Sequence, residues 1–341
     1  MKGNKDMCLV DKFINNKIIE DAIEEHTQKK YRQELGRYFE YFSKKYNTED
    51  ELEIIKNTKR DDIDEFRDYL LINKYYAVST VNGTLITLRQ FDRYLTDRHI
   101  IEESFMNNVK EVKLNIKNKN LKPKKKKEII TPEEMNKLIA CSLTKVRFQK
   151  DFNYNSVRNC FCILLLMSTG MRNDELVNIT LDRIENRNGI LFINFSKEHT
   201  KKDIPKTVPI VGKTLEYYNK YIENRNELKT IVDKDYLLLS SNGEKLNTRD
   251  INRMISKYAK ITNINKAITP HSCKKFFSAI CNICNISEII CKCIAGWSLG
   301  GDMMSYYAKD NILQADDVLV DAVQKVLDFT LDEEYLKSVN F

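Results

Sequence analysis

Between residues 79 and 100 the apolar side chains Leu85, Leu88, Phe91 and Leu95 recur at three- and four-residue spacing with polar residues between them. That period predicts an amphipathic helix, with Ser79 as a plausible N-cap. Residues 17–46 and 60–73 repeat the pattern, so residues 1–112 read as a small all-helical domain. The periodicity stops over 113–129, where Pro123 stands among lysines, and restarts at TPEEMNKLI, residues 131–139. Thr131 as N-cap, Pro132 at the first helical position and acids in the first turn mark a helix start. A second domain over 130–341 then follows. It opens with helices, including an apolar one at 157–169, and carries two strands at 190–195 (ILFINF) and 206–211 (KTVPIV) joined by a Lys-rich connection. Helices return to the end, the last over 311–332 with Val318, Leu319, Val323, Val326 and Leu327 available for burial. The predicted fold class is mainly α with a small β-sheet.

Length supports the division, because 341 residues exceed the size at which one hydrophobic core stops growing. Charge changes the picture only locally. Lys and Arg exceed Asp and Glu by 56 to 49, a modest excess, but NIKNKNLKPKKKK (115–127) contains no acid. On composition alone it is either a solvated linker or a segment that tracks phosphates. Nine cysteines with no N-terminal signal peptide point to a reducing interior, and the longest apolar run, CFCILLLM at 160–167, is too short to span a bilayer. A soluble cytoplasmic protein, nucleoid-associated in a bacterium, is expected. The spacing of Cys281, Cys284, Cys291 and Cys293 invites zinc, yet they alternate with Ile, Ala and Phe at helical period. Buried apolar thiols are the better reading, and no metal or cofactor is expected.

Four places can carry chemistry. In STGMRNDELVNI (168–179), Arg172 follows a glycine turn and precedes Glu175 by three residues. SKEHTKKDIPKTVPI, between the strands, holds Lys197, Lys201, Lys202 and Lys206; a lysine on such a tip can reach a phosphate and donate a proton. TPHSCKKFF (269–277) starts a helix whose first turn holds His271, Lys274 and Lys275, cations that are unfavourable at a helix N-terminus unless an anion binds there. GWSLGGDMMSYY (296–307) holds the chain's single Trp, Trp297, and Tyr306 nine residues later. A phenol is a poor nucleophile at its free pKa of about 10 and needs cations or a base beside it. Taken singly, each feature is ordinary for a surface or a core.

In order and spacing these segments resemble the tyrosine recombinases or integrases, Cre- and Xer-like. TGMRNDEL is similar to the family's TGLRxxEL, TVPI to its VPL strand, and HSCK to its HxxR box; a Gly-Trp pair 26 residues on and a Tyr nine further complete the match. The resemblance implies Arg172 as the first arginine, Glu175 as its supporting acid, and Lys201 as general acid with Lys202 the next choice. His271 becomes the box histidine, Trp297 a phosphate donor through its indole N–H, and Tyr306 the nucleophile. One departure is plain: Lys274 stands where the family has its second arginine, so the charge is kept and the planar fork lost.

The resemblance also implies a helical, SAM-like core-binding domain that forms a C-shaped clamp with the catalytic domain, joined to it by the basic linker. Expected DNA contacts are Arg89, Lys122, Lys124, Lys125, Lys126, Lys127 and Lys202. The implied partners are a double-stranded DNA recombination site and further protomers, four on two duplexes, with no membrane, metal or nucleotide. The C-terminal helix either closes its own domain or docks on the next protomer, docking being the preferred reading. The competing functions are a type IB topoisomerase or telomere resolvase, which shares the chemistry, and a DNA-binding protein without cleavage.

Overall fold

The computed structural model describes residues 8–113, 129–144, 152–200, 204–298, 311–312 and 314–339. The chain divides into two compact units, Met1–Lys125 and Lys126–Phe341.

In the first unit the described helices are α1 (Leu9–Asp21), α2 (Glu25–Tyr46), α3 (Glu51–Asn57), α4 (Arg60–Ile72) and α5 (Val78–Asp97). The stripe Leu85, Leu88, Phe91 and Leu95 is fully buried and meets Phe13, Leu35, Tyr38, Phe42 and Phe66. Polar groups inside are paired, as burial requires: Glu34 accepts from Thr87 Oγ1 at 2.6 Å, and Asp92 accepts from Ser104 Oγ and the Phe105 amide. The α5 helix starts two residues earlier than an N-cap at Ser79 predicts, with Ala77 at the N-cap and no side-chain cap.

The second unit is built around α7 (Phe152–Thr169), whose run Cys160–Met167 has no exposed side chain. The apolar octet is therefore a central helix, covered by α6 (Pro132–Leu143), α9 (Gly212–Asn226) and α11 (Pro270–Ile283). Among the described residues no helix is long and apolar enough to cross a membrane. The predicted start at Thr131 is present as a capping box: Glu134 N–H donates to Thr131 Oγ1 and Thr131 N–H to Glu134 Oε2. After the short α8 (Asn173–Val177) comes an antiparallel sheet of β1 (Ile184–Arg187), β2 (Ile190–Phe195) and β3 (Lys206–Ile210), in that order. Pro209 stands opposite Phe192 on β3, an edge strand, the place in a sheet where proline is tolerated. Helices α10 (Thr248–Ile261) and α12 (Glu288–Ala295) complete the shell.

The last two described helices are Asp316–Thr330 and Glu333–Val339. The Asp316–Thr330 helix packs on its own unit: Leu319, Val323, Val326 and Leu327 are buried against β3, α11 and α12. Its ends are clipped by Arg187 to Asp316 at 3.0 Å and by Asn136 Nδ2 to the Thr330 carbonyl at 2.7 Å. Val318, expected inside, is exposed, because it falls on the outer face of this packing.

Candidate active site

Gly170 ends α7 at φ +60, a left-handed turn that a side chain would strain, and a Cβ there would sit 2.5 Å from the Phe277 ring of α11. The turn delivers Arg172 to the N-cap of α8. Its backbone N–H donates to Glu175 Oε2 at 2.8 Å, and its Nη1 donates to Glu175 Oε1 at 2.7 Å and to the Gly296 carbonyl at 3.3 Å. Glu175 is 3% exposed. Its Oε2 also accepts from the ammonium of Lys206, the first residue of β3, at 2.6 Å. Burial pushes the Glu175 carboxyl up, but the charge of Lys206 and the bonds from Lys206 and Arg172 outweigh it and hold the group below the ordinary glutamate value. Burial also pulls the Lys206 ammonium down, opposed by Glu175.

The N-terminus of α11 is capped by Thr269 and Ser272, with Thr269 N–H donating to Ser272 Oγ at 3.1 Å and Pro270 in the first turn. His271 is exposed and Lys274, one turn on, is half-buried. The Lys274 ammonium lies 5.1 Å from the centre of the Trp297 ring. Gly296, at φ +63, reverses the chain after α12, and Trp297 N–H bonds back to the Lys292 carbonyl at 2.9 Å. The indole meets Phe277 edge-on at 6.3 Å and 79°. Its Nε1 is buried and, among the described residues, has no hydrogen-bond partner. Leaving such a donor unpaired costs about 1–3 kcal/mol, so a ligand that accepts from it recovers that cost.

Phe277 thus lies between Gly170 and Trp297, and Arg172 reaches the Gly296 carbonyl, so the Gly170–Arg172 turn meets two segments that follow it by more than a hundred residues. Arg172, Glu175, Lys274 and Trp297 are brought together, with His271 on the same helix turn as Lys274. Arg172 keeps 21% of its side chain exposed, and among the described residues its bonds all run through Nη1. Its Nη2 and Nε are thereby left to grip a planar or tetrahedral oxyanion. A cationic fork, a point charge and an orphan N–H on one patch suit a phosphate.

Lys201, Lys202 and Tyr306 lie outside the described residues, as do Tyr307 and the linker lysines Lys122, Lys124, Lys125, Lys126 and Lys127. The two ends of the 201–203 connection are tied together by Ile204 N–H donating to Thr200 Oγ1 at 2.8 Å. Arg89 turns its guanidinium to the Val109 carbonyl at 3.0 Å and the Glu111 carboxylate at 3.8 Å. Cys281, Cys291 and Cys293 are packed in the core and Cys284 is half-buried. Lys206 is the site residue that periodicity and motif left among the connection's lysines. Its one local sign is its place at the start of an apolar strand.

The description "Phage integrase family" matches residues 128–311, and "Phage integrase, N-terminal SAM-like domain" matches residues 10–99. The tyrosine recombinase XerD of Staphylococcus haemolyticus (strain JCSC1435) is 25% identical over 272 residues, 79% of this chain and 83% of its own. XerD of Staphylococcus aureus has the same identity and coverage. Among solved structures, a lambda integrase dimer bound to a COC' core site superposes with a TM-score of 0.62 at 12% identity, over 89% of this chain and 76% of that one. XerH site-specific recombinase bound to palindromic difH substrate superposes with a TM-score of 0.61 at 16% identity, over 96% and 82%. At such identities these two likenesses are of fold.

Proposed function

Because the chain belongs to the phage integrase family, we propose that it is a site-specific DNA recombinase of the tyrosine type, cutting one strand of a duplex recombination site and joining it to a partner strand. The observation that supports this most is the unpaired Trp297 Nε1 beside Lys274, next to an Arg172 fork held by Glu175. In the proposed reaction the Tyr306 phenolate attacks phosphorus and the bond to the 5′ oxygen breaks. Lys201, or Lys202 in its place, gives that oxygen a proton. The products are a 3′-phosphotyrosyl bond and a free 5′-hydroxyl, and attack by a partner's 5′-hydroxyl reverses the step with the bond energy conserved.

Arg172 and Lys274 neutralise the nonbridging oxygens as charge builds, Trp297 adds a donor, and His271 lies at the same helix N-terminus. Lys274 supplies a point charge where a fork would bond twice, so cleavage is retained at reduced strength. The proposed substrate is double-stranded DNA, contacted by the helical N-terminal unit and the linker lysines. Exchange takes four protomers on two duplexes in the cytoplasm.

A supercoiled plasmid carrying two copies of the DNA flanking the source gene tests the reading. Deletion or inversion between the copies is expected. Relaxation without exchange would point to a topoisomerase-like strand transferase, and binding without either product to a DNA-binding protein that no longer cuts.

A further inference from the structure

Resting on that reading, we propose that Lys206 is a positioning residue for cleavage: its ammonium locks Glu175 in the rotamer that holds the Arg172 guanidinium, while its stem sets the height of the Gly296–Trp297 turn. The Lys206 side chain is 0% exposed, so as it stands it cannot touch DNA. Its effect must pass through neighbours. Glu175 has two oxygens with different tasks: Oε1 takes the guanidinium at 2.7 Å, while Oε2 takes the Lys206 ammonium at 2.6 Å and the Arg172 backbone N–H at 2.8 Å. With Oε2 doubly engaged the carboxylate cannot swing, and Arg172 meets a single oxygen through a single nitrogen. The rest of the fork stays available.

The same side chain supports the other half of the site. A Cβ on Gly296 would come within 3.0 Å of Lys206 Cδ, so the stem lies directly against the backbone that presents Trp297 and whose carbonyl accepts from Arg172. The strand register opposes Lys206 to Phe195, whose ring centre lies 4.7 Å from the ammonium, and this fixes the lysine from the sheet side. One buried lysine therefore braces both the arginine and the indole, three residues after the 203 end of the connection that carries Lys201.

The test uses the full chain, a nicked suicide duplex carrying its site, and single-turnover cleavage at saturating DNA. Lys206→Met is expected to lower the cleavage rate about 10²-fold, the scale of a misplaced reacting group. The Kd for intact duplex should stay within about threefold, the spread of an uncoupled change. Should Lys206→Met fail to fold, Lys206→Met/Glu175→Gln removes both buried charges together, a change that buried pairs tolerate. The double variant is expected to show the same split between rate and affinity.

In an Arg172→Lys background Lys206→Met should add less than about threefold, because both act on one group. A folded Lys206→Met or double variant that cleaves within about threefold of the wild type overturns the proposal, as does a loss that multiplies fully with that of Arg172→Lys. Absence of any covalent adduct from the wild type refutes the recombinase reading itself, and the role of Lys206 with it.

Discussion

Trp297 holds a buried donor with no partner among the described residues, while its ring is engaged by Phe277 and Lys274. The two roles separate by substitution. Trp297→Phe keeps an aromatic face for both neighbours and deletes the N–H, so cleavage should fall about 10²-fold, as for loss of one transition-state donor. Thermal stability should hold or rise slightly, since an unsatisfied polar group is removed; a melt and a single-turnover rate on one preparation check both. Lys274→Arg should keep or raise cleavage by restoring a fork, and a large loss would mean that the pocket is shaped around lysine.

Glu175 also makes a statement about pH. Its carboxyl lies below its ordinary value of 4.5 in the fold, so its contribution to stability is complete above pH 4.5 and is lost as pH falls through the lowered folded-state value. Denaturant melts across the acid range should show this loss, and Glu175→Gln should lack that part of the slope.

Arg172, His271, Lys274 and Trp297 were legible in the sequence because each follows a local stop, at Gly170, Pro270 or Gly296, in a recognisable order. Lys206 was not. Beyond its place at the start of an apolar strand, nothing near it distinguishes it from Lys197; its burial comes from pairing opposite Phe195 and from a carboxylate 31 residues earlier in the chain.

Among elements, the Asp316–Thr330 helix shows how an apolar stripe states that a face will be covered without saying by what. Its period was legible, but its cover is β3, α11 and α12 of the same unit. Leu319→Ala should therefore cost about 2–5 kcal/mol, and by the same amount at every protein concentration. A cost that shrinks on dilution would mean that the helix is buried between protomers.

Strand β1 was missed because IENR offers one apolar residue in four, too little for a period of two. A signal was present nevertheless. Asn188 and Gly189 follow it, at φ 52 and 89, and an Asn-Gly pair ahead of an apolar run is a strong hairpin mark.

For the whole molecule, two separate cores were expected from length and from the lapse in periodicity, and the chain divides into two compact units, Met1–Lys125 and Lys126–Phe341. The net charge of +7 is modest, so the proposed DNA contacts of the linker lysines rest on a local run of charge. Changing Lys124, Lys125, Lys126 and Lys127 to Gln should flatten the log–log salt dependence of DNA binding by about 0.9 for each lysine that touches a phosphate. An unchanged slope, measured by titration at several salt concentrations, would make the run a solvated linker.

The central claim is that cations from distant segments converge on one phosphorus so that one phenolate can attack it. Its most direct measurement is mass-spectrometric mapping of the covalent adduct trapped on a nicked suicide duplex. The account predicts a phosphotyrosyl peptide at Tyr306 that persists in Tyr307→Phe and disappears in Tyr306→Phe with DNA binding retained. An adduct at any other residue, or full cleavage by Tyr306→Phe, would contradict it.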